Sequence, residues 1–154
     1  MTPNSRHITT WIDRPASEVY EFAANPANLP KWAAGLGSSV ELVDGQWEAE
    51  SPMGRVMITF AERNEYGILD HRVTLPSGQS VYNPMRVIPE QDGTCDVVFT
   101  LRQQPEMTDQ DFDRDADAVA ADLATLKQHL ERPSVDRAGF HSLEAKRAGY
   151  AAGR

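Results

Sequence analysis

Three polar residues carry the chemistry this chain has to offer: His71, Asn83 and Asp115. An imidazole, an amide and a carboxylate converging on one space would supply a general base, an oxyanion donor and an orienting partner. Strand parity aims the first two the same way. In the run Ile68–Leu75, Val73 and Leu75 define an inward face that Leu69 and His71 share, leaving Asp70, Arg72 and Thr74 outside. In Ser80–Ile88, Asn83 shares a face with Val81, Met85 and Val87. Asp115 falls about 60° from the centre of a helical apolar stripe, and Asp122 slightly further out. Thr10 is the inward polar residue of the first strand. The same groups also read as satisfied core polar residues bonded to each other, water or backbone, and a bulge in either run would reverse the assignment.

Other chemistries find no support. G-x-S-x-G, P-loop, G-x-G-x-x-G, H-E-x-x-H and paired C-x-x-C patterns are absent. His7, His71, His129 and His141 are scattered without metal-ligand spacing, so neither a metal nor another cofactor is expected. Cys95 has no basic neighbour to make it a thiolate. Asp109, Asp111, Asp113, Asp115 and Asp117 alternate as in a calcium loop, but Arg114 replaces the turn glycine and Ala120 the bidentate Glu. That run reads instead as a solvated helix start.

The elements that must position these groups follow from periodicity. Phe112, Ala116, Val119, Leu123, Leu126 and Leu130 recur at 4-3-4-3-4 spacing, one stripe of a helix from Thr108 to about Glu131. At 1.5 Å per residue it is about 36 Å long. Thr108 caps it, early carboxylates and the late Lys127 and His129 match its dipole. Upstream, residues 6–12 form a first strand with Ile8, Thr10 and Ile12 on one face. A helix opens at Pro15 with Val19, Phe22 and Ala23 on its apolar side. A second short helix, 27–34, carries Leu29 and Trp32 and ends at Gly35 and Gly37. Between 38 and 103, six short alternating runs separated by turns such as Asp44-Gly45 and Asp92-Gly93 make an antiparallel meander. The expected fold is α+β: a curved seven-stranded antiparallel sheet wrapped around the long helix.

At 154 residues this is one domain, 1–131, with a basic tail, 132–154, that forms a candidate docking helix from about His141. A net charge of −8 argues against nucleic acid, and no apolar run is long enough for membrane insertion. A single cysteine and no signal-peptide core point to the cytoplasm.

The stretches IDRPASEVYEFAANPANLPKW, GRVMITFAE, GILDHRV and DADAVAADLATLKQHLE resemble the START-like, Bet v 1-like helix-grip superfamily (SRPBCC), in its polyketide cyclase/dehydrase-like branch. The resemblance spans roughly residues 6–131. It implies a cavity between sheet and long helix that holds a small, largely hydrophobic molecule, polyketide-like or lipid-like. Candidate ligand-binding residues are Trp32, Leu36, Trp47, Phe60, His71, Asn83, Met85, Phe99, Val119 and Leu123. Trp32 and Leu36 resemble the family's cavity mouth; large side chains such as Trp47, Phe60, Met85 and Phe99 keep the space modest. Alternatives are a cyclase/dehydratase-type enzyme using His71 as acid/base, and a protein-interaction module, including a homodimer, using the sheet's outer face or the tail. A cavity above about 300 Å³ would favour binding or catalysis.

Overall fold

A computed structural model describes residues 4–36 and 39–132. The tail from residue 133, with its candidate docking helix and any homodimer built on it, lies outside the described residues. Strand β1 (Ser5–Ile12) is followed by helix α1 (Ala16–Ala23), a 3-10 turn (Pro26–Asn28), helix α2 (Leu29–Trp32) and a second 3-10 turn (Ala34–Leu36). Then come β2 (Val40–Val43), β3 (Gln46–Ser51), β4 (Gly54–Phe60), β5 (His71–Thr74), β6 (Ser80–Asn83), β7 (Met85–Pro89) and β8 (Cys95–Arg102). Helix α3 (Asp109–Glu131) completes the described fold.

Among the described residues the strands number eight, not seven, and form two antiparallel sheets ordered β1-β8-β7 and β2-β3-β4-β5-β6. The expected single strand Ser80–Ile88 breaks at Pro84, which has no N–H to give a ladder. Side-chain alternation nevertheless carries through the break. Asn83 stays on the face of buried Met85 and Val87, while Tyr82, Arg86 and Ile88 are exposed. The expected strand Ile68–Leu75 likewise splits its partners. His71–Thr74 pairs with β6, whereas Leu69 N–H donates to Met85 O at 2.8 Å and Val87 N–H to Gly67 O at 2.9 Å on β7. Residues 67–70 thus stitch the two sheets into one wall.

Asp70 clamps this seam. It lies on the outer side, as parity predicts, but is only 7% exposed because Tyr82 and Arg86 cover it. Its carboxylate accepts hydrogen bonds from Met85 N–H (2.9 Å), Tyr82 Oη (2.7 Å), and Arg86 Nε and Nη2 (3.0 and 2.9 Å). Burial alone would raise its pKa; the Arg86, Tyr82 and Met85 hydrogen bonds outweigh burial and hold it at about 2.

Helix α3 begins at a full capping box. Asp111 N–H donates to Thr108 Oγ1 at 3.0 Å, and Thr108 N–H to Asp111 Oδ2 at 3.2 Å. Its stripe divides in two. Phe112 and Ala116 pack with Leu101, Ile8 and Phe99 near the start. Leu123, Leu126 and Leu130 join the main core with Ile12, Val19, Trp32 and Val97. Val119 lies between the two clusters and is only partly buried. A straight helix against a curved wall touches firmly at both ends and leaves its middle open.

Candidate ligand-binding cavity

The open middle is a cavity of about 150 Å³. The sheet contributes Ile58, Phe60, His71, Val73, Asn83 and Phe99; α3 contributes Val119, Asp122 and Leu123; the short helix contributes Leu29, Trp32 and Ala33. Cross-strand register explains the convergence: Phe60 is opposite His71 on β5, and His71 is opposite Asn83 on β6. The volume is half the roughly 300 Å³ above which size alone would favour binding or catalysis, and Phe60, His71 and Phe99 are among the large side chains in its walls. A larger hollow of about 470 Å³ lies elsewhere, beside α1 and residues 63–67. Its walls include Tyr66, 75% exposed, and the solvent-facing Arg63–Glu21 ion pair, so it is a surface concavity. The cavity between sheet and α3, with buried and half-buried walls and convergent polar groups, is the candidate site.

His71 is the centre of that site. Its Nδ1 is 2.9 Å from Leu69 O, and a carbonyl only accepts, so Nδ1 carries the proton. Its ring stacks on Phe60 at 5.0 Å and meets Phe99 edge-on at 5.8 Å. Burial drives the His71 pKa below its ordinary 6.5, against the smaller opposing pulls of the Leu69 carbonyl and the Asp70 charge. The imidazole is therefore neutral near pH 7, and Nε2 keeps a free lone pair. Among the described residues no protein donor bonds to it.

Two further groups complete the polar inventory. Asp122 accepts a hydrogen bond from Ala34 N–H at 3.2 Å, tying the segment after α2 to α3. Burial raises its pKa above the carboxylate norm, and the Ala34 N–H partly offsets this. Trp32 is 6% exposed, and its Nε1–H is a buried donor with no acceptor among the described residues. Such a group costs about 1–3 kcal/mol unless something supplies an acceptor.

No family model matches the chain, and no curated protein matches it. Solved structures do. Norcoclaurine synthase from Thalictrum flavum superposes with a TM-score of 0.61 at 12% identity, over 85% of this chain and 95% of that one. Ara h 8.0201, a Bet v 1 allergen, gives 0.63 at 10% identity over 83% and 97%. The di-domain ARO/CYC BexL of the BE-7585A biosynthetic pathway gives 0.62 at 18% identity over 83% of this chain and 46% of that one. The chain has the Bet v 1-like helix-grip fold. At such identities the likeness is one of architecture.

Within this helix-grip fold the predicted site residues divide clearly. Trp32, Phe60, His71, Asn83, Phe99, Val119 and Leu123 line one cavity. Trp47 and Met85 do not. Trp47 sits on the inner face opposite Ile58, toward the edge strand, and Met85 is buried past the Pro84 break, where the wall packs against the core. The side chain of Leu36 lies outside the described residues. Asp115 is also displaced: it lies two helical turns before Asp122, about 10 Å along the axis, near the Phe112–Ala116 end. The carboxylate facing His71's cavity is Asp122. Seven residues apart, the two share a helix face, so angle alone does not choose between them; only knowing where the curved sheet departs from the helix does.

Proposed function

We propose that the protein binds a small, largely apolar molecule in the cavity between sheet and α3. The observation that carries this reading is a mostly apolar cavity whose walls hold polar groups without a partner among the described residues: His71 Nε2 and the Asn83 amide. A core built only for stability would pair them. The volume supports a guest of about one ring, since a dry cavity of about this size takes up benzene. Native mass spectrometry of protein purified from its natural host tests the reading. A one-ring compound should travel with the wild type and be absent from Val119→Phe, whose new ring fills the space. Protein that carries nothing and binds no one-ring probe would refute it.

Catalysis of the cyclase/dehydratase type is the second reading. It is supported by His71 itself, a desolvated neutral imidazole fixed through Nδ1 with Nε2 available as base. Asn83 would orient the substrate, and Asp122 takes the partner role first assigned to Asp115. On this reading His71→Ala abolishes turnover at unchanged affinity, and full turnover in that variant removes it.

A further inference from the structure

We infer that residues 133–154 of this same chain dock in the groove between α1 and residues 63–67, with aromatic side chains on its apolar surface and cations at its acidic rim. This groove is the hollow of about 470 Å³ that lies apart from the candidate cavity. Buried Tyr20 and Val87 form its floor, and exposed Tyr66 and Pro89 its apolar rim. The loop that carries Tyr66 is fixed by one side chain. Asn64 Oδ1 accepts from Tyr66 N–H (2.9 Å) and Ile68 N–H (3.0 Å), and Asn64 Nδ2 donates to Glu62 O (2.9 Å) and Ile68 O (3.0 Å). Asn64 N–H donates to Tyr20 Oη at 2.9 Å, which ties the loop to α1. The loop so ordered presents Tyr66, at 75% the most exposed large apolar side chain among the described residues. A surface ordered in advance loses little further entropy when a partner packs on that ring.

Charge and reach select the occupant. The one cation in the groove's walls, Arg63, is engaged by Glu21. Glu65 in the wall, and Glu62 and Glu90 beside it in sequence, form no ion pair among the described residues. Residues 133–154 carry Arg137, Lys146, Arg147 and Arg154 against Asp136 and Glu144, a net +2, which leaves the other 132 residues at −10. Phe140, Leu143 and Tyr150 add apolar groups at spacings that one side of a helix would share. The chain also leaves α3 beside the groove's own helix. His129 stacks on Phe22 of α1 with ring centroids 4.7 Å apart, and Asp13 N–H donates to Glu131 Oε2 at 2.7 Å. At 100° per residue Phe22 lies across α1 from Ser17, Tyr20 and Glu21, so the chain has one helix to pass, about 10–12 Å. Residues 133–139 span up to about 23 Å when extended, enough to bring Phe140 to the groove.

Spin-label NMR on the full chain tests this. A nitroxide attached through Ser142→Cys goes to that site alone, because the native Cys95 is fully buried with its thiol pushed up to about 11. Against the same sample with the nitroxide reduced, the amide signals of Ser17, Glu21, Glu65 and Tyr66 should lose intensity. Those of Met53 and Gly78, in turns at the other end of the sheet, should keep theirs. Adding Glu65→Lys and Tyr66→Ser, both at exposed positions, should abolish the loss while the remaining spectrum stays that of the folded protein. Undiminished groove signals in the first sample, or losses that persist in the groove variant, overturn the inference. Losses of the same signals caused by a nitroxide carried only on a second, isotope-free copy overturn the assignment to the same chain and make the groove a contact between copies.

Discussion

At the scale of single residues, His71 and Asp70 are neighbours in sequence with opposite electrostatic duties. His71 is kept neutral by burial, so its folded pKa lies below the unfolded value near 6.5. The unfolded chain then binds the extra proton first, and stability declines as pH drops below about 6.5 toward the folded pKa. Urea midpoints measured from pH 7.5 to 5 should show that decline in the wild type and a flatter profile in His71→Phe. Asp70 works at the acid end. Its pKa of about 2 against an ordinary 3.8 means its contribution is full above about pH 4 and fades as pH falls through 2. That contribution is on the order of 2 kcal/mol. Asp70→Asn should lose it at neutral pH and lack the corresponding acid transition. Strand parity read from the sequence was enough to turn His71 and Asn83 inward and Asp70 outward. It gave no warning that Asp70 would be buried, because the covering side chains, Tyr82 and Arg86, come from strands 12 and 16 residues away.

At the scale of elements, the long helix is legible because three independent signals coincide: a capping threonine, early carboxylates, and a 4-3 apolar stripe. Thr108→Ala removes the capping box and should cost about 1 kcal/mol in chemical denaturation. The seam between the sheets was not legible. Pro84 announces a break, but alternation continues across it, so the pattern resembles one strand. What fixes the actual pairing is the approach of residues 67–69 to β7. Gly67 makes that approach at φ 73°, and a Cβ there would stand 2.2 Å from Val87 O. Gly67→Ala should therefore destabilise by at least about 2 kcal/mol, measured by urea unfolding. A neutral result would show that the stitching residues are free to shift. The displaced carboxylate belongs to this scale too: choosing Asp122 over Asp115 needs the curvature of the assembled wall, a property no single element encodes.

At the scale of the whole molecule, two packed ends and an unfilled middle distribute stability unevenly. Burying side chains such as Phe112 at one end and Leu126 at the other contributes about 1.5–3 kcal/mol apiece, whereas the middle forgoes such contacts. A guest that fills the middle binds only the folded state. At a hundredfold excess over its dissociation constant it should add about 2.7 kcal/mol to unfolding. Thermal unfolding with p-cresol should accordingly shift upward in the wild type and remain fixed in Val119→Phe. Among the described residues no helix is long and apolar enough to cross a membrane. The sequence supplied the architecture and most of the cavity wall, since inward parity and the helical stripe are local patterns. Its large side chains pointed to modest room, but the volume itself depends on how closely Phe60, His71 and Phe99 settle against one another across three strands. The most direct test is a methyl NMR titration with toluene. The methyl signals of Val73, Val119 and Leu123 should shift together and saturate while that of Ile88, on the outer face, stays put. Shifts confined to Ile88 and the surface, with the three inner residues unmoved, would contradict a cavity that admits a guest.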